Sequence, residues 1–182
     1  DKLPGSGTWF DLGVHMLDSM LCLLGRPQAV NADMRSLRRA EGSTDYFNVC
    51  FHYADMRVLL RSSTFVSEKG ATVSIHGDKG SLLKFGQDVQ EQQLMNGLLP
   101  YQPNWANHGK DNFALLHRQL ENGSERTQIE SERGCYEFFY RNIADAINGK
   151  DTLRFPAQQA LLAVEMLLAA EESNRLQKTI HV

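Results

Sequence analysis

The chain has 182 residues, of which 42% are hydrophobic and 23% charged, as in a globular protein long enough to bury a core. Its net charge of −3, without a run of Lys or Arg, argues against binding to nucleic acid or an anionic membrane. No apolar run approaches the roughly 20 residues of a membrane span, and no signal peptide is recognisable. Cys22, Cys50 and Cys135 are widely spaced in apolar contexts. We expect buried reduced thiols in a cytoplasmic protein, with neither a disulfide frame nor a zinc site.

A helical pattern follows a Gly-rich stretch near the start of the chain. Its apolar residues recur at every fourth position, at Leu12, Met16 and Met20. Gly25, followed two residues later by Pro27, stops the pattern. The sequence therefore predicts a first helix that ends near residue 24.

Three ionisable residues share one stripe of this helix, because Asp11, His15 and Asp18 are spaced at i, i+4 and i+7. In a structural interpretation Asp11 caps the helix, His15 is half-buried and Asp18 is a solvated charge. In a second interpretation the three bind a metal, but no further cluster of ligand residues accompanies them. In a third they carry acid–base chemistry, since a carboxylate one turn from an imidazole fixes its tautomer and raises its basicity.

Further along, the apolar period changes from about 3.6 to 2, which is typical of half-buried strands. The clearest case has Phe47, Val49 and Phe51 alternating with Asn48 and Cys50. We predict strands at 30–35, 47–53, 57–65, 72–76, 81–85 and 89–94, two helices starting at Tyr136 and Pro156, and an edge strand at 179–182. Strands followed by terminal helices indicate an α+β fold, with helices on one face of a largely antiparallel sheet. We expect one domain over residues 1–182.

The other face of the predicted sheet is mixed polar. Its members are Asn48, His52, Arg57, Arg61, Thr72, Ser74 and His76. This face is either solvated or a flat polar interface between two copies of the chain. Few of its residues are Lys or Glu, which are depleted from interface cores, whereas Arg is enriched there.

Residues 96–131 lack a clear period and are rich in turn formers. A loop of that length inside a compact domain is usually functional or disordered, and its aromatic residues argue against disorder. One hypothesis makes Trp105 a wall of a binding pocket and Asn104 or His108 its hydrogen-bonding groups. The other is a loop pinned by a single buried Trp.

The opening motif Gly5-x-Gly7-x3-Asp11-Leu12-Gly13-x-His15-x2-Asp18 resembles the signature of the glucose–fructose oxidoreductase / inositol dehydrogenase (Gfo/Idh/MocA) family. The longer string from Pro4 to Gly13 is most similar to the branch that contains scyllo-inositol dehydrogenases. The His-Gly-x-Lys-Gly hairpin of that family also occurs here, from His76 to Gly80.

This resemblance implies an open-faced sheet like that of the dihydrodipicolinate reductase C-terminal domain. In the resembled family, this open sheet packs against a second subunit. It also implies that His15 exchanges a proton with the hydroxyl being oxidised, and that Asp11 is its orienting partner. The substrate is then a small polyol or sugar. In that branch a loop with Pro and Trp covers the substrate, which favours substrate-binding roles for Trp105, Asn104 and His108, and we assign Trp9 to the same set.

A dinucleotide site is missing from the sequence. No Gly-x-Gly-x-x-Gly follows a strand, and Asp11 would repel a pyrophosphate near Gly5 and Gly7. Family members carry a dinucleotide-binding domain and one further strand before the motif, so we expect this chain to be the C-terminal part of an enzyme that uses NAD or NADP. We expect this part alone to bind no dinucleotide and to be inactive. The alternative is a non-catalytic oligomerisation module that retains the motif.

Overall fold

A computed structural model describes residues 5–182, so that Pro4 of the motif lies outside the described residues. The chain opens with a π-helical turn, Trp9–Gly13, which runs directly into helix α1. The regular elements are α1 (Val14–Leu24), β1 (Ala29–Arg35), β2 (Tyr46–His52), β3 (Arg57–Ser63), β4 (Val73–Gly77), β5 (Gly80–Lys84), α2 (Gln90–Met95), β6 (Phe113–Leu120), β7 (Gly123–Glu130), α3 (Tyr136–Ile147), α4 (Ala157–Leu176) and β8 (Ile180–His181).

The chain forms two compact units, each with its own four-stranded antiparallel sheet. The first unit comprises the described residues up to Val66 together with Phe155–Val182, and its strand order is β3-β2-β1-β8. The second unit is Ser67–Arg154, with strand order β4-β5-β6-β7. The α+β class with antiparallel sheets is confirmed. The strands do not continue as one meander, because the polar stretch 67–70 separates β3 from β4 and interrupts the alternation.

The core of the first unit lies between one face of its sheet and the helices. Phe47, Val49 and Phe51 of β2 are each 0% exposed, as their alternation predicts. Helix α4 packs on β1 and on α1. It contributes Met166 and Ala170 to the same apolar cluster. The predicted edge strand is confirmed by β8, which pairs with β1 at the border of the sheet.

Two elements of the second unit differ from the sequence prediction. The predicted outer strand at 89–94 is wrong, because Gln90–Met95 is helix α2. These residues are mostly Gln, Glu, Leu and Met, which favour helices, and the Asp88 carboxylate accepts a hydrogen bond from the Gln90 amide at 2.8 Å. The predicted loop 96–131 is wrong for its second half, which forms the β6–β7 hairpin. All eight residues of β7 are exposed, so its sequence carries no alternation to detect.

The cysteines are free, but Cys22 and Cys135 are exposed and only Cys50 is half-buried. The expectation that all three are buried is therefore wrong, since apolar neighbours in sequence do not fix which side of a helix a thiol occupies. Within residues 5–182, no helix combines the length and apolarity that crossing a membrane requires.

Candidate functional site

The Gly-rich entry of the motif is fixed against the loop before β2. Gly7 forms a parallel bridge with Thr44, and the amide of Thr8 donates to the Thr44 carbonyl at 2.7 Å. Gly7 has a φ of +94°, and a Cβ there would lie 2.7 Å from the backbone N and O of Thr44. Only glycine satisfies both conditions, so this position of the motif has a structural cause.

Trp9 anchors the π-helical turn in the core of the first unit. It is 1% exposed, its ring meets Phe47 edge to face at 5.0 Å, and its Nε1 donates to the Leu167 carbonyl at 3.2 Å. A Cβ on Gly13 would lie 2.4 Å from the Trp9 ring, so the indole occupies the space that this glycine leaves. These are the contacts of a core residue. The substrate-binding role of Trp9 stays a prediction.

Asp11 and His15 both lie exposed, one on the π-helical turn and the other on α1. Neither side chain forms a hydrogen bond or ion pair with another residue of the described range, and Asp11 and His15 are not bonded to each other. Residues at i and i+4 are aligned in a regular α-helix, whereas the π-helical turn that carries Asp11 winds more widely and shifts it around the axis. Both groups are therefore available to a ligand. Asp18 is half-buried.

Asp11 also lines an open hollow of about 870 Å³ in the first unit. Its wall carries carboxylate, guanidinium and hydroxyl groups, from Gly7, Thr8, Asp11, Ser36, Arg38, Arg39, Glu41, Gly42, Ser43, Thr44 and Asp45. The Asp45 carboxylate accepts from the amides of Leu37 and Arg38 at 2.7 and 3.0 Å, and the bond from Leu37 is the main reason that its pKa lies below the ordinary value. These groups suit a ligand rich in hydroxyls. The sequence predicted only a polar loop here.

The predicted binding loop belongs to the second unit. Asn104 is exposed, and His108 has its Nε2 at 3.1 Å from the Glu132 carbonyl. Trp105 is 1% exposed, as in the hypothesis of a loop pinned by a buried Trp. Its indole contributes to lowering the pKa of Glu137, after the larger effect of the Glu137 backbone amide. The Trp105 Nε1 donates no hydrogen bond of regular geometry to any residue that the structure describes.

A residue that the sequence did not single out holds this loop. The Gln93 Oε1 accepts from the Ala106 amide at 2.6 Å, and its Nε2 lies 3.4 Å from the Asn104 carbonyl and 3.3 Å from that of Asn107. A glutamine in a polar helix gives no sequence pattern that would reveal such a role. The structure thus places Trp9, Asp11 and His15 on one segment of the first unit, and Asn104, Trp105 and His108 on one loop of the second.

The residues present do not fit a dinucleotide. The glycine turn before α1 is closed against Thr44 at Gly7, and the first helical turn carries the Asp11 carboxylate. A phosphate at a helix N-terminus needs free amides and no fixed negative charge. Over the described part of the chain, no three His, Cys, Asp or Glu side chains are grouped to hold a metal.

The outer face of the first sheet carries four of the seven residues predicted to share one face, namely Asn48, His52, Arg57 and Arg61. Asn48 lies between Asp33 of β1 and Arg61 of β3, and His52 lies opposite Arg57. The pKa of His52 is lowered, first by burial and then by the positive charges of Arg57 and His181. The Asn48 Oδ1 is buried without a partner among residues 5–182. Thr72, Ser74 and His76 belong to the second unit.

The full chain, residues 1–182, matches the family model described as "Oxidoreductase family, C-terminal alpha/beta domain". It is 34% identical to the uncharacterized oxidoreductase YdgJ of Escherichia coli over 177 residues, 97% of this chain and 51% of that protein. It is 30% identical to scyllo-inositol 2-dehydrogenase (NADP(+)) IolW of Bacillus subtilis, over 96% of this chain and 49% of that protein. The solved structure of the oxidoreductase yvaA from Bacillus subtilis has a TM-score of 0.93 at 29% identity and covers 100% of this chain and 54% of its own. The chain spans about half the length of these curated relatives.

Proposed function

Because this chain belongs to the Gfo/Idh/MocA family of oxidoreductases, we propose that it is the C-terminal, substrate-binding and dimerising part of an NAD(P)-dependent dehydrogenase. The reaction is oxidation of a secondary hydroxyl of a polyol or sugar, or the reverse reduction. Of the relatives compared, IolW is named for scyllo-inositol and NADP(+), which makes that pair the first to test. The observation that carries the proposal is the family motif, with Asp11 and His15 both exposed and without a side-chain partner among residues 5–182.

The proposed step for this chain is a proton transfer. Oxidation of an alcohol carbon removes a hydride from carbon and a proton from oxygen, and a neutral imidazole is suited to accept that proton near neutral pH. The exposed ring of His15 has no competing partner among the described residues, so a substrate hydroxyl can reach it. The Asp11 carboxylate lies on the π-helical turn that precedes α1, and we assign it the role of orienting partner of His15. In the reduction the same proton returns to oxygen.

The surroundings of Asp11 support a polyol substrate. The wall of the hollow beside it contains both acidic and basic side chains, among them Glu41 and Arg39. Hydroxyl groups both donate and accept, so a wall of carboxylates and guanidinium groups pairs with adjacent hydroxyls of a polyol. NAD(P)⁺ supplies the hydride acceptor, and since the residues here do not fit a dinucleotide, we assign its binding to the remainder of a longer protein.

The test compares the longer protein that contains this chain with residues 1–182 alone. We expect the longer protein to produce reduced nicotinamide from NADP⁺ and scyllo-inositol, measured by fluorescence. We expect residues 1–182 alone to show neither turnover nor calorimetric binding of NAD⁺ or NADP⁺. A saturable dinucleotide site in residues 1–182 contradicts the assignment of dinucleotide binding to the remainder of the longer protein. A longer protein that neither binds NAD(P)H nor oxidises any polyol favours the alternative, an oligomerisation module that retains the motif.

We further propose that the chain forms a homodimer through the outer face of the first sheet. The row Asp33, Asn48 and Arg61 carries an acid at one end and a base at the other. A twofold axis above Asn48 would set each Arg61 against the Asp33 of the second copy, so the face is complementary to itself.

A further inference from the structure

The loop that carries Asn104 and His108 is held in an unusual backbone conformation. Asn104 has a φ of 70° and Ala106 a φ of 56°, on either side of the buried Trp105. Asparagine tolerates the left-handed region because its short polar side chain can hydrogen-bond locally. Alanine has no such compensation for the steric conflict of its Cβ. Such a conformation persists only where the surroundings impose it, and it occurs disproportionately at ligand-binding positions.

Gln93 supplies that constraint. Its one side chain accepts from the Ala106 amide and reaches the carbonyls of Asn104 and Asn107, so it contacts three of the four peptide groups between residues 104 and 108. The bond to Ala106 is short, at 2.6 Å, and is made at the strained residue itself. A side-chain amide has one acceptor and two donors, and this site uses all three.

The helix that carries Gln93 is itself fixed to the start of α3. Gln90, on the preceding turn, is 1% exposed. Its Oε1 accepts from the Tyr136 amide at 2.9 Å, and its Nε2 lies 3.1 Å from both carboxylate oxygens of Asp88. Gly134 is required beside this pair, since a Cβ there would lie 1.9 Å from the Asp88 Oδ2. The support therefore extends from α3 through α2 to the loop.

We propose that Gln93 is a positioning residue that presents the loop 104–108 to the substrate and thereby sets discrimination between polyol isomers. This inference rests on the proposed function and on the substrate-binding roles that the sequence analysis predicts for Asn104 and His108. Asn104 is exposed while its carbonyl faces Gln93, so the backbone is fixed. Its Oδ1 accepts from the Asn107 Nδ2 at 3.4 Å, and its Nδ2 has no partner among residues 5–182. Gln93 does not touch the substrate in this account. It acts through the loop, by holding the conformation that binding would otherwise have to impose.

The experiment replaces Gln93 with Met in the longer protein, which keeps the length of the side chain and removes all three hydrogen bonds. The matched control is Gln92→Met, because Gln92 is exposed on the same helix and, within the described part of the chain, its side chain bonds only to Asn96 at 3.3 Å. Gln93→Glu is the conservative variant, since a carboxylate still accepts from Ala106 but repels the two carbonyls. The substrates are scyllo-inositol and myo-inositol, which differ in the orientation of one hydroxyl.

We expect Gln93→Met to raise KM for scyllo-inositol by about tenfold, with kcat within about twofold, because contacts away from the reacting carbon act equally on the bound substrate and the transition state. We expect the kcat/KM ratio between the two isomers to change by about threefold or more. Gln93→Glu should show a smaller rise in KM, and Gln92→Met none. A role in folding alone would lower the amount of active enzyme and leave KM unchanged. Hydrogen exchange of the Ala106 amide reports the loop directly, and Gln93→Met should remove its protection.

Each other outcome contradicts the inference. Protection of the Ala106 amide that survives in Gln93→Met shows that Gln93 does not hold the loop. Lost protection with unchanged KM and unchanged isomer ratio shows that the loop does not bind substrate. Equal effects of Gln92→Met and Gln93→Met assign the change to helix α2 in general. A wild-type protein without polyol turnover contradicts the proposed function, and this inference falls with it, whereas an active wild type with an unaltered Gln93→Met variant contradicts the inference alone.

Discussion

At the scale of single residues, contacts explain two of the three glycines of the opening motif. Gly7 allows the backbone to meet Thr44, and Gly13 leaves room for the Trp9 ring. Trp9 in turn fixes the π-helical turn to the core through Phe47 and the Leu167 carbonyl. The catalytic candidates Asp11 and His15 are therefore carried by a segment that is anchored from its buried side, while their own side chains are free of partners in the described range.

The first prediction concerns Gly13→Ala. The new methyl group would lie 2.4 Å from a ring carbon of Trp9, a separation that requires the buried indole or the helix to move. We expect the free energy of unfolding in urea to fall by about 1–3 kcal/mol, the usual cost of overpacking a core. Gly70→Ala is the control, because nothing lies within 4 Å of a Cβ there. Equal stability of Gly13→Ala and the wild type would contradict the packing of Trp9 described here.

At the scale of elements, the sequence predicted those helices and strands whose residues alternate clearly between buried and exposed positions. β2 alternates between buried and half-buried residues along its length, and it was predicted to within one residue at each end. The helix from Tyr136 was predicted from its aromatic and apolar spacing. The β6–β7 hairpin was missed, because β7 is exposed on both sides and its sequence shows no period. Helix α2 was missed because six residues give too short a window to separate a helical from a strand pattern.

In the candidate site, too, some residues could be identified from the sequence and others could not. Asp11 and His15 were identified because the motif places them close together in sequence. The hollow beside Asp11 was not identified, since most of its wall comes from the loop before β2. Contacts of Gly7 and Thr8 with Thr44 bring this loop to the motif. Gln93 was not identified either, because its partners lie 11 to 14 residues away and are backbone groups, which any sequence would provide.

At the scale of the whole molecule, the proposed dimer rests on the outer face of the first sheet. A flat antiparallel sheet with helices on one side leaves its other side to water or to a partner. Here the row Asp33–Asn48–Arg61 offers charge complementarity under a twofold axis. The ion pair between Arg35 and Asp33 within one copy is exposed and contributes little, so Asp33 can exchange partners.

The corresponding prediction is that Arg61→Glu weakens association by about tenfold or more, because it sets two carboxylates against each other across the axis. Analytical ultracentrifugation over a range of concentrations measures the change, and circular dichroism should show an unchanged fold. The double variant Asp33→Arg with Arg61→Glu exchanges the charges and should restore dimerisation. If the wild-type protein sediments as a monomer at tens of micromolar, roughly where a standard interface holds, the face is merely solvated.

The most direct test of the account is the effect of His15→Ala on kcat for polyol oxidation in the longer protein. Proton transfer by a positioned side chain contributes ~10²–10⁴-fold, so we predict a loss of that size, with partial recovery when imidazole is added to the assay. Asp18→Asn, one turn further along α1, is the control and should leave kcat nearly unchanged. A His15→Ala variant that keeps kcat within about twofold of the wild type would contradict the role of His15 as the general acid and base.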